Sequence, residues 1–335
     1  MSFVLVAGGG LSGSVIAKEL AENGKSVTII EAGEVVGGKV RDYGCKATDE
    51  CNNCGVCLTG GLWEAVEKNE LINVIPNAKL VDLGGTKGDF TAAIKTASGI
   101  ENITGISEVV VATGFKKTTE HGFGGSLEVE NTAGIMLGSK LENVLKDRNE
   151  SGIFDKEPKS VAFVQCVGSR DCKDNALYCS KVCCAYTTRA AKVIKHYYPE
   201  VAITFFYMEM QTVNSGNYFD SITESGFDFI KCRPIKITGG ALPEVVYDNP
   251  NSGKRESQSF DMVILADGIR ANDDAGRIAE LCGLNQTPAG FLQYVENASD
   301  GNKTGIYLAG SVKGPLKIEE AYNDSIAVAR EILFA

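Results

Sequence analysis

The run Phe3-Val-Leu-Val-Ala7 followed by Gly8-Gly-Gly-Leu-Ser-Gly13 constrains this chain more than any other feature. Five apolar residues read as a short buried strand, residues 14–23 carry apolar side chains at helical spacing, and Gly24 closes that helix. Ser26-Val-Thr-Ile-Ile30 then reads as a second strand ending at Glu31. Strand, helix and strand within residues 3–31 form a crossover unit of a parallel sheet. Gly8, Gly10 and Gly13 fill the three positions of G-x-G-x-x-G. The first lets the chain turn, the second lets backbone approach a pyrophosphate, and the third lets helix and strand pack closely, while the N–H groups of the helix N-terminus face the phosphates. Glu31 stands where it accepts hydrogen bonds from ribose hydroxyls and disfavours a 2′-phosphate.

The pattern recurs. Ser160-Val-Ala-Phe-Val-Gln165, a helix over 180–196 and Val201–Met208 make a second strand–turn–helix–strand unit, and Phe260–Gly268 repeats the strand-into-glycine pattern of Val109–Gly114. The expected fold class is therefore α/β, with two Rossmann-like domains in 335 residues. Residues 1–115 and 290–335 are expected to form a discontinuous first domain, 116–157 a connecting segment without a strong strand, and 158–289 the second domain.

Three further segments resemble two-dinucleotide-binding flavoproteins: Gly37-Gly38-Lys39, Ala112-Thr113-Gly114 as their returning strand, and Ile306-Tyr-Leu-Ala-Gly-Ser311 as the piece that closes over the flavin. The resemblance implies FAD, held by Gly8, Gly10, Leu11, Ser12, Gly13, Glu31, Ala32, Gly38, Lys39, Ala112, Thr113, Gly114, Gly310 and Ser311. Lys39, Arg41, Asp267 and Lys313 lie beside these motifs and are read either as flavin contacts or as solvated surface.

Cysteine is the unusual component: eleven residues, most of them in the windows 45–57 and 166–184. No cationic segment precedes the first apolar run, so the chain reads as mature from residue 1 and cytoplasmic, where clustered thiols serve metals or redox chemistry. A net charge of −10 excludes the basic footprint of a nucleic-acid binder. Val201–Met208, among the longest apolar stretches, is far short of a membrane span.

In the second unit the glycine loop is replaced by Gln165-Cys-Val-Gly-Ser-Arg-Asp171 and Tyr178-Cys-Ser-Lys-Val-Cys-Cys184. Cys166, Cys179, Cys183 and Cys184 put four thiols near a strand end and a helix N-terminus, where a cluster could replace a nucleotide's phosphates. Cys51-Asn-Asn-Cys54-Gly-Val-Cys57 has the C-x2-C-x2-C spacing of an iron–sulfur site, with Cys45 as a fourth thiol. Zinc on the same four, a Cys51–Cys54 disulfide and inert thiols are the alternatives. Cys172, Cys232 and Cys282 are read as structural.

These thiol motifs, the N-terminal glycines and Leu308-Ala-Gly-Ser-Val-Lys-Gly-Pro315 together resemble HdrA, the flavoprotein component of heterodisulfide reductases, in a short core form without added ferredoxin-like cysteine sets. The resemblance implies a 4Fe-4S cluster on Cys166, Cys179, Cys183 and Cys184 beside FAD, electron transfer to HdrB/HdrC-like iron–sulfur partners, and a homodimer. A stand-alone NAD(P)H-dependent disulfide reductase needs a Cys-x4-Cys pair, a second nucleotide glycine motif and a C-terminal His–Glu pair. Cys45 and Cys51 are separated by five residues, the second motif bears thiols, and no histidine follows His196. A third reading is an iron–sulfur scaffold that has lost FAD, against which the Gly8/Gly10/Gly13/Glu31 set argues.

Overall fold

The structure is a computed structural model that describes residues 3–118, 132–149, 152–172, 176–211, 222, 225–295 and 304–335. The chain divides into two compact units, one of residues 1–41, 55–116 and 270–335, the other of residues 42–54 and 117–269.

The first unit begins with β1 (Phe3–Ala7), α1 (Leu11–Glu22) and β2 (Val27–Ile30). After α2 (Leu62–Lys68) come β3 (Ile72–Ile75), β4 (Lys79–Thr86), β5 (Asp89–Thr96) and the long β6 (Gly99–Val111). β6 serves two purposes. Its first half pairs antiparallel with β5, and its second half runs parallel to β1 on one side and to β15 (Ile306–Leu308) on the other. Side chains alternate across this sheet as strand geometry requires. Val4 and Val6 face α1 and the C-terminal helix α6 (Ile318–Leu333), whereas Leu5 and Ala7 face α5 (Ala275–Cys282). Fully burying one Val, Leu or Ile side chain stabilises by ~1.5–3 kcal/mol. Ile278 of α5 is such a residue, which is why residues 270–289, expected in the second domain, pack in the first unit.

The second unit is built on β7 (Ile135–Leu137), α3 (Gly138–Lys146), β8 (Ser160–Val167), α4 (Cys183–Tyr197), β9 (Ala202–Phe206) and β10 (Asp228–Ile230). An antiparallel trio follows, β11 (Lys236–Thr238), β12 (Glu244–Asp248) and β13 (Arg255–Ser259), before β14 (Met262–Asp267) returns to the main sheet. The five-stranded sheet has the order β10-β9-β8-β14-β7, and every pair in it is parallel. Val161 and Phe163 face α3 and α4, while Ala162 and Val164 face Val245 and Tyr247 of β12.

Two expected boundaries are corrected here. The segment 116–157 was expected to lack a strong strand, yet β7 and α3 lie within it and belong to the second sheet's core. β7 is three residues long, too short for composition to reveal, and it holds its place by pairing with Val263–Leu265. Residues 42–54, expected in the first domain, pack in the second unit. The Lys46 ammonium is buried against the Glu142 carboxylate, and the Arg189 guanidinium donates to Asn52 O at 2.7 Å. Parts of the expected connecting segment, 119–131 and 150–151, and of the expected C-terminal FAD stretch, 296–303, lie outside the described residues. No helix among the described residues is long and apolar enough to cross a membrane.

Candidate functional site

In the first unit every sequence-distant piece of the expected dinucleotide site reaches the glycine turn. Gly8, at φ +105°, donates its N–H to Ile30 O at 2.8 Å, and a Cβ there would stand 2.5 Å from Ala112 O. That contact brings the Ala112–Gly114 return against the turn. Gly10 bridges to Gly37, and a Cβ on Gly38 would lie 3.0 Å from Gly10 Cα. A side chain at Gly310, φ +69°, would run into the Ser12 hydroxyl, so this glycine lets the C-terminal segment reach the start of α1. Gly13 packs against the Gly8 carbonyl so closely that no side chain fits.

Glu31 closes the ring from the second strand. Its carboxylate accepts N–H bonds from Gly9 and Gly33, each at 2.7 Å, and Ala32 beside it is exposed. Lys39 Nζ stands 5.0 Å over the Phe115 ring. Thr113 O accepts from the Asn272 side chain at 2.7 Å. Ser311 is buried, and the stretch holding it is pinned by Asp324, which accepts from Gly310 N at 2.7 Å and from Lys313 Nζ at 2.5 Å. Sequence reasoning missed Asp324, which sits in the middle of α6 with nothing in its surroundings to mark it.

The cradle is shaped for an anion. α1 starts at Gly10 with no side-chain cap and no acidic residue in its first turn, so its first N–H groups and the positive end of its dipole are left for a ligand. A Cβ built on Gly10 would meet nothing within 4 Å. Close packing at Gly8 and Gly13 beside open space at Gly10 fits a pyrophosphate laid over the second glycine.

The second unit has the same strand–turn–helix plan with different residues in the turn. Cys166 lies near the end of β8 at φ +61°, Cys183 and Cys184 open α4, and Cys179 precedes Lys181, which is also left-handed at φ +60°. Cys166, Cys183 and Cys184 are buried and Cys179 is half-buried. Burial first, then the Cys184 and Cys179 thiols, push Cys166 up to about 11, with Arg170 opposing. Burial and the same set raise Cys183 well above its ordinary value. Burial also raises Cys184. Cys183 Sγ lies 3.9 Å from Asp267 O, and Cys184 Sγ lies 3.9 Å from Glu209 O. Thiols this reluctant to ionise in water-free surroundings become thiolates when a metal takes the proton's place.

Among the described residues no three His, Cys, Asp or Glu side chains converge closely enough to hold a single metal ion. A cluster binds each thiolate to a different iron and so asks for a wider ring than one tetrahedral ion does. The second unit also contains an unsatisfied donor beside this ring, Arg170 Nη1, which is buried without a partner among the described residues. Four mutually coupled thiols and an orphaned guanidinium N–H fit an anionic group.

The first cysteine window behaves differently. Cys45 and Cys51 are exposed and Cys54 is half-buried, all in the second unit, while Cys57 is exposed in a short helix of the first. Asp267, read either as a flavin contact or as solvated surface, is buried in the second unit, 3.3 Å from the Tyr186 hydroxyl and accepting from Ser139 N at 2.8 Å. Of the cysteines read as structural, Cys282 is buried, Cys232 half-buried and Cys172 exposed.

A family model described as an NAD(P)-binding Rossmann-like domain matches residues 6–56. Over 98% of its length the chain is 24% identical to the HdrA component of the ferredoxin/F420H2-dependent CoB–CoM heterodisulfide reductase of Methanosarcina acetivorans, covering 52% of that protein. It is 26% identical over 97% of its length to an HdrA-type iron–sulfur component of the CoB–CoM heterodisulfide reductase of Methanopyrus kandleri, covering 63% of it. Identity reaches 30% over 67% of the chain with the HdrA component of the H2/formate:CoB–CoM heterodisulfide,ferredoxin reductase of Methanococcus maripaludis, of which 36% is covered. The chain therefore corresponds to only part of each relative. Thioredoxin reductase from T. acidophilum superposes over 98% of both chains with a TM-score of 0.65 at 16% identity. The HOCl-induced flavoprotein disulfide reductase RclA of Escherichia coli does so over 99% of this chain and 71% of its own, with a TM-score of 0.63 at 15% identity. The two superpositions show the α/β, Rossmann-like flavoprotein fold, and the named relatives and neighbours are all reductases.

Proposed function

We propose that this chain, similar over most of its length to the HdrA flavoprotein of heterodisulfide reductases, is an electron-transfer flavoprotein that binds FAD in its first unit and a 4Fe-4S cluster in its second. The observation that carries the reading is one of position: the four mutually coupled thiols stand at the strand–turn–helix junction of the second unit, where the first unit has its glycine cradle. FAD and a cluster, when bound, supply the change between two-electron and one-electron steps. The chain's own residues do the rest. The N–H groups at the start of α1 and the Glu31 carboxylate hold and orient the dinucleotide, Gly8 and Gly13 keep β1 and α1 close, and the Asp324 carboxylate fixes the Gly310–Lys313 segment. Cys166, Cys179, Cys183 and Cys184 would ligate the cluster.

Electrons would pass between flavin and cluster and on to HdrB/HdrC-like partners, with the chain acting as a homodimer in the cytoplasm. For Cys45, Cys51, Cys54 and Cys57 the alternatives are a second cluster, zinc, a Cys51–Cys54 disulfide and inert thiols, and the iron count tests the first. A stand-alone NAD(P)H-dependent disulfide reductase shares the fold, but the turn where it would bind its nucleotide is here occupied by buried thiols. Anaerobic purification followed by flavin, iron and sulfide analysis tests the reading. One flavin with about four irons per chain supports it, and about eight brings in the 45–57 window. An iron-free chain that oxidises NADH rapidly without partners overturns it.

A further inference from the structure

We propose that Arg170 is the charge-compensating residue of the thiol site, its guanidinium stabilising the negative charge that a cluster gains on reduction and so setting its reduction potential; this rests on the cluster reading above. Arg170 sits at φ +54° in the loop between β8 and α4, a left-handed conformation that a non-glycine residue adopts only when its surroundings impose it. The contacts of its loop hold it there. Its N–H donates to Tyr178 O at 3.0 Å, tying the loop's first arm to the residue before Cys179. The next residue, Asp171, exchanges two backbone hydrogen bonds of 2.9 Å with Ala176 and is ion-paired with Arg233. Arg233 in turn donates to Arg170 O at 3.5 Å.

This clamp places the side chain where its donors are unequally used. Nη2 lies 3.5 Å from the Glu209 carboxylate, whose residue also offers its carbonyl to Cys184 Sγ at 3.9 Å. Nη1 is buried and has no acceptor among the described residues. Leaving a buried charged donor unpaired is costly, an arrangement that persists where the missing acceptor is a ligand. The Arg170 charge acts on the Cys166 and Cys184 sulfurs, favouring negative charge on both. An acceptor in that place would be the thiolates and sulfides of a cluster, whose potential follows its net charge and the hydrogen bonds to its sulfurs. When one electron enters from a reductant such as dithionite, the site becomes one unit more negative and no bond forms or breaks. A fixed cation nearby favours that product, and guanidinium cannot lose its proton to escape the task.

The test is a redox titration of the cluster's EPR signal in the purified full chain, with iron counted per chain, for wild type, Arg170→Gln and Arg170→Lys. Arg170→Gln is expected to keep its irons and lower the reduced-to-oxidised ratio at fixed potential at least tenfold, which is about 59 mV for a one-electron couple. Arg170→Lys should recover most of that shift. If Arg170→Gln loses its iron, an Arg170→Lys protein that retains four irons still supports the charge role, and one that loses them overturns it. A wild type with four irons and an Arg170→Gln potential unchanged overturns this inference alone, whereas an iron-free wild type overturns the cluster reading beneath it.

Discussion

At the end of β1 the chain turns through Gly8, Gly9 and Gly10 and enters α1 at once; at the end of β8 it runs through residues 168–182 before entering α4. The short turn works by lacking side chains. Gly13 leaves no room for one, Gly10 leaves the space open, and the groups offered to a ligand are backbone N–H. The long turn works by carrying side chains at three places, the strand end, the loop and the first helical turn, so that Cys166, Cys179, Cys183 and Cys184 share one junction. Phosphate recognition asks for close backbone and a cluster asks for separated ligands, so one plan accommodates both only by changing the length and strain of the turn. The strain is visible at Cys166, Arg170 and Lys181, all non-glycine residues with positive φ. Such residues cost of order 1–3 kcal/mol each unless a bound group repays it.

Removing one thiol has the largest expected effect. Cys183→Ser deletes a buried thiol of the second unit's turn and leaves the glycine turn of the first unchanged in sequence, so iron should fall by about four per chain while flavin stays at one. Loss of flavin together with iron, read from the visible spectrum and an iron assay, would show that the two turns do not work independently. The reciprocal change is Gly10→Val. Its φ of −68° is ordinary and the added side chain meets no protein atom at its Cβ, so folding should be preserved, while flavin affinity drops on the order of a hundredfold, about 2.7 kcal/mol. Gly13→Ala is the control with the opposite signature. Its methyl collides with the Gly8 carbonyl, so the melting temperature falls as well as flavin content.

Much of this is legible in the residues alone. The glycine turn and both parallel units follow from motifs whose spacing the physics of turns dictates, and segments carrying those motifs meet at Gly8–Gly13; the cysteine motifs mark the second turn, where a cluster on Cys166, Cys179, Cys183 and Cys184 is the proposal made above. What escaped the sequence is what depends on long-range packing. β7 is only Ile135–Leu137 and gains its identity from Val263–Leu265. Asp324 matters because α6 passes the Gly310 turn. The placement of 42–54 in the second unit rests on Lys46 and Glu142, ninety-six residues apart, and no local pattern announces such a pair.

Breaking that pair has an intermediate expected effect, confined to the second unit. Lys46 and Glu142 are both buried, and Lys46 also donates to Gly44 O at 2.7 Å. Removing one partner of a buried ion pair leaves an uncompensated charge and costs ~3–5 kcal/mol, whereas replacing both by apolar residues is often close to neutral. Lys46→Met should therefore destabilise the second unit by that amount, and Lys46→Met with Glu142→Leu should restore most of it. The single tryptophan, Trp63, lies in the first unit, so urea unfolding followed by its fluorescence should move little while the far-UV circular dichroism transition moves. Equal shifts of both probes would mean that the segment 42–54 does not stabilise the second unit selectively.

The smallest effect separates a solitary buried thiol from a gathered set. Cys282 packs in the first unit's core with Leu5, Ala279 and Leu308, and burial pushes it up from an ordinary value of 9.0 to about 12, with Arg277 opposing. Because the folded value lies above the unfolded one, the protonated thiol's contribution is complete below pH 9 and is lost as the pH rises towards 12. Between those values the slope from this group is at most ~1.4 kcal/mol per pH unit. Unfolding followed at Trp63 should show that decline, and Cys282→Val should flatten it. In the second unit the raised thiols predict the same sign in the iron-free chain, but once a metal has displaced their protons they no longer titrate. Iron loading should therefore remove the share of the second unit's alkaline sensitivity that comes from Cys166, Cys183 and Cys184, leaving that of Cys232, which burial raises to about 11, and that of the first unit untouched. An iron-loaded protein in which both probes kept the same alkaline decline would mean that the gathered thiols, like Cys282, serve only as buried apolar groups.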